Sequence, residues 1–181
     1  SRDFPVYISR GCVNKCNYCS AIGFMTNKRY PFRFRSGQRM FDEVVYFKNK
    51  FPALEKVRFA NNIDNGKMKA LHEFCDLMIE SGLNKKLSWS MESSVVRKEM
   101  RKPVYEKLKK AGCTFITYGV ETPAEHLLEK VGKTLALQEG VDLPAILREG
   151  KEAGMDLTIN IMIGLPGETE EDFQFLLKFL E

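Results

Sequence analysis

The alternation of short apolar segments with longer amphipathic ones constrains the fold of this 181-residue chain more than any other feature. Near-continuous apolar stretches such as Leu157–Ile163 are typical of strands in a parallel sheet. Parallel neighbours need a crossover connection, so the alternation favours a parallel sheet covered by helices. The predicted strands are Phe4–Ser9, Lys56–Ala60, Leu87–Met91, Thr114–Val120 and Asp156–Ile163.

Helices are expected between these strands, where apolar residues recur at helical spacing. Thr122 and Thr169 each have an acidic residue three positions later, a pattern typical of a capping box at a helix N-terminus. The predicted helices are Gly37–Lys50, Lys67–Glu80, Val104–Ala111, Thr122–Val131, Asp142–Ala153 and a last one from Thr169 to the end.

Five β–α units that end on an amphipathic helix predict an incomplete barrel. Either a sixth unit is missing, or something else closes the sheet. In both cases the last helix has apolar residues to cover, and open sheet edges and apolar faces promote association. We therefore expect the isolated segment to be marginally stable or to self-associate through Phe173, Leu176, Leu177 and Leu180.

Composition excludes several classes of protein. Apolar residues make up 44% and charged residues 29% of the chain, which indicates a folded domain with a buried core. No apolar run is long enough for a membrane span, and the first residues lack the apolar region of a signal peptide. A net charge of +4 permits an acidic partner without requiring one. Five cysteines are too few for a disulfide scaffold, so we expect a reduced, cytoplasmic protein.

The cysteines at positions 12, 16 and 19 are clustered directly after the first predicted strand. In α/β folds the loops that follow the strands carry the chemistry. A structural zinc site usually takes four ligands. A four-iron cluster held by three thiolates keeps one iron open to an exogenous ligand. Three clustered cysteines are therefore compatible with an open iron–sulfur cluster, or with zinc if another residue supplies the fourth ligand.

The Cys-x3-Cys-x2-Cys spacing, with an aromatic residue before the last cysteine, resembles the signature of the radical S-adenosylmethionine (radical SAM) superfamily. Further blocks occur in the order seen in the branch that often carries a cobalamin-binding domain: Tyr7–Cys12, Phe34–Ser36, Tyr118–Thr122 and Gly164–Thr169. The resemblance implies that residues 1–181 form a partial (β/α)6 TIM-like barrel, the radical SAM core domain, truncated after about five units.

The resemblance also implies the cofactors and the activity. Cys12, Cys16 and Cys19 would hold a [4Fe–4S] cluster, and the open iron would bind SAM. Reductive cleavage of SAM would give a 5′-deoxyadenosyl radical or serve radical methylation. An electron donor such as ferredoxin or flavodoxin would be needed, and cobalamin could come from a flanking domain. The substrate and the catalytic residues stay unassigned.

Candidate SAM contacts follow from the same resemblance. Tyr18 would lie near the adenine, and Met162 and Gly164 would line the adenine pocket. Glu121 would accept hydrogen bonds from the ribose hydroxyls or the SAM amino group. Alternatively, its carboxylate only stabilises the N-terminus of the next helix.

Two further polar positions follow predicted strands. Many radical SAM proteins have a Gly-Gly-Glu sequence where this chain has Asn62 and Asp64, which would supply acceptors to the SAM ammonium or simply favour a loop. Ser90 lies in a polar stretch at the end of the third strand, where a SAM or substrate contact is expected.

Two other functions stay open. The first is a radical SAM methylthiotransferase that acts on tRNA or a ribosomal protein. The second is a non-enzymatic, zinc-stabilised α/β module whose fourth ligand would be His72, His126, Cys75 or Cys113, although these two cysteines are expected in the core. The basic and aromatic segment 28–39 favours a structural or inter-domain role over nucleic-acid binding.

Overall fold

A parallel sheet forms the centre of the computed structural model, which describes residues 2–20, 32–61 and 63–181. The strands are β1 (Asp3–Val6), β2 (Ser9–Arg10), β3 (Arg33–Phe34), β4 (Lys56–Phe59), β5 (Ser88–Ser94), β6 (Cys113–Glu121) and β7 (Asp156–Ile161). The sheet has the strand order β1-β4-β5-β6-β7, and each neighbouring pair is parallel. A separate antiparallel ribbon pairs β2 with β3.

Each of the five predicted strands overlaps a strand of the sheet, so the predicted α/β class is confirmed. The first predicted strand is too long, because the sheet strand ends at Val6 and Ser9 belongs to the separate ribbon. Most helices connect successive sheet strands, and a short 3-10 turn follows two of them, at Leu83–Lys85 and Thr134–Leu137. The helices are α1 (Gly37–Lys50), α2 (Met68–Glu80), α3 (Lys102–Lys110), α4 (Glu125–Lys130), α5 (Leu143–Glu152) and α6 (Glu170–Leu180).

Of the two predicted capping boxes, one forms and one does not. At α6 the Thr169 side chain accepts a hydrogen bond from the Asp172 N–H, and the Asp172 side chain accepts from the Thr169 N–H. The box predicted at Thr122 is wrong. Its hydroxyl accepts from the N–H of Ala124, two residues on, at 3.2 Å. Because that bond closes a turn before the helix, α4 begins at Glu125 without a side-chain cap.

One face of the sheet packs against the helices through apolar side chains. Phe59, Phe74 and Trp89 are at most 1% exposed, and their ring centroids are 5.0 to 5.4 Å apart. The indole N–H of Trp89 donates to the Ala111 carbonyl at 2.9 Å, so its polar atom is satisfied inside the core. Cys75 and Cys113 are buried in the same core, as expected.

The opposite face of the sheet is polar. Arg58 of β4 bonds Asp3 of β1 at 2.9 Å and Glu92 of β5 at 3.3 Å. The alternation of side chains along a strand places these residues opposite the aromatic core. A face lined by paired charges does not form a second apolar core, so it is available to a polar ligand.

The last strand, β7, and the helix that follows it, α6, are largely exposed. No residue of β7 is buried, and the strand ends two residues before the predicted Ile163. On α6, Leu176 is buried, whereas Leu177 and Leu180 are 42% and 51% exposed. The predicted apolar surface is therefore partly present, and self-association through it stays a prediction.

Within residues 2–20, 32–61 and 63–181, no helix is both long enough and apolar enough to cross a bilayer.

Candidate functional site

The cysteine loop (residues 12–19) follows β2 and packs against the C-terminal end of α4. The N–H groups of Lys15 and Asn17 donate to the carbonyls of Gly132 and Val131 at 3.3 and 3.0 Å. Gly132 has a φ of 73°, and a Cβ there would lie 2.6 Å from the Lys15 carbonyl oxygen. The loop therefore reaches this position because residue 132 is a glycine.

All three loop cysteines are free thiols on this segment. Cys16 is buried, and Cys12 and Cys19 are partly exposed. Burial raises the pKa of Cys12 and of Cys16, and the thiols are close enough to raise those pKa values further. In the described parts of the chain, no three His, Cys, Asp or Glu side chains converge at metal-binding distance. The structure thus brings the thiols onto one loop without placing them in ligand geometry.

The donor set nevertheless fits a four-iron cluster better than zinc. Three soft thiol ligands come from eight consecutive residues, and three thiolates leave one iron open. The fourth ligands considered for zinc have other surroundings. Cys75 and Cys113 lie in the apolar core, and His126 Nε2 lies 3.4 Å from Asp172 Oδ1.

A buried ion pair lies beside the loop. The Lys133 ammonium donates to Glu121 Oε1 at 2.5 Å, and their side chains are 7% and 12% exposed. Glu121 ends β6 with a φ of 69°, which is uncommon for a residue other than glycine. A Cβ at Gly119 would lie 2.7 Å from Lys133 Nζ and 2.9 Å from Glu121 Oε1, so this glycine makes room for the pair.

Lys133 is a residue that the sequence analysis missed. Burial raises the pKa of Cys12 and of Cys16, and the positive charge of Lys133 opposes that rise in both, which places the ammonium close to the thiols. The signal in the sequence is weak, because a lysine after a glycine at a helix end is ordinary. The structure also shows that Glu121 directs its carboxylate to this lysine.

Tyr18 joins the cysteine loop to the end of β6. Its side chain interacts with Glu121 and with Cys16, and burial raises the pKa of its hydroxyl above the usual range. The residue as a whole is 39% exposed, so part of the ring stays accessible. This position agrees with a ring that borders a ligand, and the predicted adenine contact stays a prediction.

The two polar positions predicted after β4 and β5 have internal partners. Asp64 is fully buried, and its carboxylate accepts from Asn61 Nδ2 and from the Ser93 N–H, both at 2.7 Å. Burial raises the pKa of Asp64 to about 7. Ser90 is also buried, and its hydroxyl lies 3.5 Å from Glu92 Oε1. Asn62 lies outside the described residues.

The predicted adenine-pocket residues follow β7. The Met162 N–H donates to the Glu121 carbonyl at 2.8 Å, so the backbone of Met162 lies next to one member of the ion pair. Gly164 has a φ of 82°, and its N–H donates to the Glu168 carboxylate. A Cβ on Gly164 would meet nothing within 4 Å, which leaves open space next to this turn.

The site thus combines three soft thiols, an adjacent pair of opposite charges and an aromatic ring at one edge of the sheet. The chain matches the family model of the Radical SAM superfamily over residues 6–180. It belongs to that superfamily. Radical SAM enzymes bind a [4Fe–4S] cluster and SAM, so the predicted enzyme class and these two cofactors are confirmed. The zinc-stabilised module is not supported.

Two curated relatives match nearly the whole chain. An uncharacterized methyltransferase of Pyrococcus horikoshii is 25% identical over 174 residues, which are 96% of this chain and 36% of that protein. The ribosomal protein uS12 methylthiotransferase RimO of Clostridium acetobutylicum is 24% identical over 184 residues, 97% of this chain and 39% of that protein. The chain therefore spans little more than a third of these relatives.

A solved radical SAM structure has the same fold. The methyltransferase TsrM from Kitasatospora setae, with cobalamin and a [4Fe–4S] cluster bound, superposes with a TM-score of 0.78 at 15% sequence identity. The match covers 97% of this chain and 34% of TsrM. This similarity confirms the predicted partial TIM-like barrel, of which the parallel sheet is the centre.

Proposed function

We propose that residues 1–181 form the core domain of a radical SAM enzyme, in which Cys12, Cys16 and Cys19 hold the [4Fe–4S] cluster. The observation that carries the proposal is the Glu121–Lys133 pair beside the three thiols. A cluster with an open iron binds SAM through its amino and carboxylate groups, and both groups keep atoms that can form hydrogen bonds to the protein. The pair offers an acceptor to the amino N–H groups and a donor to the carboxylate.

The other predicted contacts complete the SAM site in this proposal. Tyr18 borders the adenine from the cysteine loop, and Met162 and Gly164 border it from the turn after β7. Asn62, which follows β4 in the sequence, and Ser90 of β5 remain candidate contacts. With cluster and SAM bound, the chemistry supplied is reductive cleavage of SAM. The chain itself orients SAM and restricts the access of water.

Methyl transfer is the overall reaction that we propose. A methyltransferase is among the curated relatives, and TsrM is a methyltransferase solved with cobalamin. In this proposal cobalamin is supplied by a domain outside residues 1–181. Ferredoxin or flavodoxin supplies the electron, and the protein works in the reducing cytoplasm. The substrate is not assigned.

Methylthiolation is the second candidate, because RimO matches 97% of the chain. The two reactions differ in what accompanies the core domain. Cobalamin that copurifies with the full-length protein supports methyl transfer, and a second iron–sulfur cluster supports methylthiolation.

Iron analysis after anaerobic reconstitution tests the proposed cluster ligands. We expect about four irons per chain, and loss of nearly all of them when Cys12, Cys16 and Cys19 become Ala. Cys75→Ser and Cys113→Ser serve as controls, because both thiols are buried in the core. Full iron content without the three loop cysteines would overturn the proposal.

Replacement of Glu121 by Gln tests the proposed SAM contact. The variant keeps the size of the side chain and removes its charge. SAM binding to the cluster-loaded chain should weaken by about 1–3 kcal/mol, as for a hydrogen bond to a charged group. Unchanged SAM affinity would leave Glu121 only its structural contact with Lys133.

A further inference from the structure

The loop between β4 and α2 ties the ends of three strands together through the half-buried side chain of Asn61 and the buried side chain of Asp64. Asn61 Oδ1 accepts hydrogen bonds from the N–H groups of Ile8 at 2.7 Å and Ser9 at 3.0 Å. Its Nδ2 donates to Asp64, whose carboxylate also accepts from the Ser93 N–H. A chain of hydrogen bonds therefore runs from the end of β1, through the loop after β4, to β5.

Ile8 and Ser9 are the residues at which the chain leaves the sheet for the cysteine loop. β1 ends at Val6, β2 begins at Ser9, and Cys12 follows three residues later. Consecutive N–H groups in a regular strand point in opposite directions, so two of them aimed at one oxygen mark a bend. Asn61 takes the place of a strand partner at this bend.

The bend is held from a second direction and is largely shielded from water. The Ser9 hydroxyl donates to the Ile63 carbonyl at 2.8 Å, and Ile8, Ser9 and Asp64 are all buried. Hydrogen bonds are stronger in such surroundings, and an unmade bond there costs more than one at the surface. The direction in which the chain enters the cysteine loop therefore depends on Asn61.

We propose that Asn61, held in place by Asp64, is a positioning residue that sets the approach of Cys12 to the cluster. The inference rests on the proposed function, because it requires the loop cysteines to be the cluster ligands. Asn61 acts through the backbone of Ile8 and Ser9. It needs no contact with SAM.

Asn65 provides a matched control on the same loop. It is fully buried, its Oδ1 accepts from the Val95 N–H at 3.0 Å, and its Nδ2 donates to the Val95 carbonyl at 2.8 Å. Asn65→Ala thus leaves backbone groups without partners, as Asn61→Ala does. Its bonds reach the end of β5 and not the cysteine loop.

An exchange of the side chains at positions 61 and 64 tests whether the bend depends on the hydrogen-bond geometry or on which residue occupies each position. Asn61→Asp alone places two carboxylates next to each other with no donor between them. In the double variant Asn61→Asp with Asp64→Asn, the carboxylate at position 61 accepts from Ile8, Ser9 and the new amide. The amide oxygen at position 64 then accepts from Ser93. The hydrogen bonds to Ile8, Ser9 and Ser93 and the bond between positions 61 and 64 are kept, and only in the last of these are donor and acceptor reversed.

The experiment compares iron loss to a chelator and the electron paramagnetic resonance spectrum of the reduced cluster, with and without SAM. It uses the anaerobically reconstituted 181-residue chain. Asn61→Ala should lose iron about tenfold faster, and its spectrum should respond abnormally to SAM. Asn65→Ala should keep the wild-type rate and spectrum despite a similar loss of stability in urea. The double exchange should restore both properties.

Three outcomes would overturn the inference. One is wild-type iron retention and spectrum in Asn61→Ala. Another is an equal loss in Asn65→Ala. If Asn61→Ala does not fold, a folded double exchange variant without a wild-type cluster spectrum decides against it. Failure of the proposed function is distinct, because the wild-type chain would then bind no cluster, or would keep it without the loop cysteines.

Discussion

The helix-covered face of the sheet and the edge that carries the cysteine loop are both well packed, but by different interactions. Phe59, Phe74 and Trp89 meet through ring contacts that have no fixed donor or acceptor. At the loop edge, Glu121 and Lys133 meet through one ion pair of 2.5 Å. Apolar contacts tolerate small shifts at modest cost, whereas buried charges do not. Substitutions in the aromatic core should therefore change stability alone, whereas substitutions at the loop edge should change both stability and the geometry of the site.

Trp89→Ala should give the largest effect, because it empties the centre of the aromatic core. The expected loss is about 4 kcal/mol of unfolding free energy, measured by urea denaturation with an unchanged m-value. Trp89→Phe is the control. It keeps an aromatic ring, loses the bond to Ala111, and should cost about 1–2 kcal/mol. A loss below about 1 kcal/mol in Trp89→Ala would contradict the packing described here.

Lys133→Met should come next, because it leaves the Glu121 carboxylate buried without its partner. We expect a loss of about 3 kcal/mol in urea denaturation. The double variant Lys133→Met with Glu121→Gln should recover most of that loss, since no unpaired charge remains. If the two losses simply add, the pair does not act as a unit.

Gly132→Ala sharpens the comparison, because Gly82 offers the same backbone with open surroundings. Their φ values are 73° and 71°, but a Cβ at position 82 meets nothing within 4 Å. Gly82→Ala should cost about 1 kcal/mol for the left-handed backbone alone. Gly132→Ala should cost about 2 kcal/mol and also lower the iron content, because the Cβ displaces the cysteine loop. Equal stability losses with wild-type iron content in both would show that the loop is not seated on Gly132.

Glu149→Gln should give the smallest effect, and one that depends on pH. Arg101 and the Lys102 N–H lower the pKa of Glu149 from 4.5 to about 2. A lowered carboxyl pKa contributes stability above the unfolded-state value, and this is lost as pH falls through the folded-state value. The wild type should thus be more stable than the variant at pH 7, and the gap should close between about pH 4.5 and 2. Melting temperatures of both proteins across this pH range check the direction of the effect. A stability difference that widens as the pH falls would contradict the prediction.

Strand and helix positions were predictable from the sequence because they depend on local pattern. The apolar run from Leu157 and the pair Thr169–Asp172 mark a strand and a capped helix within a few residues of chain. Thr122 shows where this fails. The same pattern followed by Pro123 closes a turn instead, because the hydroxyl has a nearer N–H to accept from.

The sequence by itself determined the β–α order, the three-cysteine motif and the family, since these rest on residue types and spacing along the chain. The tertiary structure alone decided which side chains meet at the site. Lys133 reaches Glu121 across twelve residues, and Asn61 reaches Ile8 across fifty-three. Such contacts depend on the backbone crossing between strands, on room made by Gly119 and Gly132, and on burial. None of these leaves a periodic signal in the sequence.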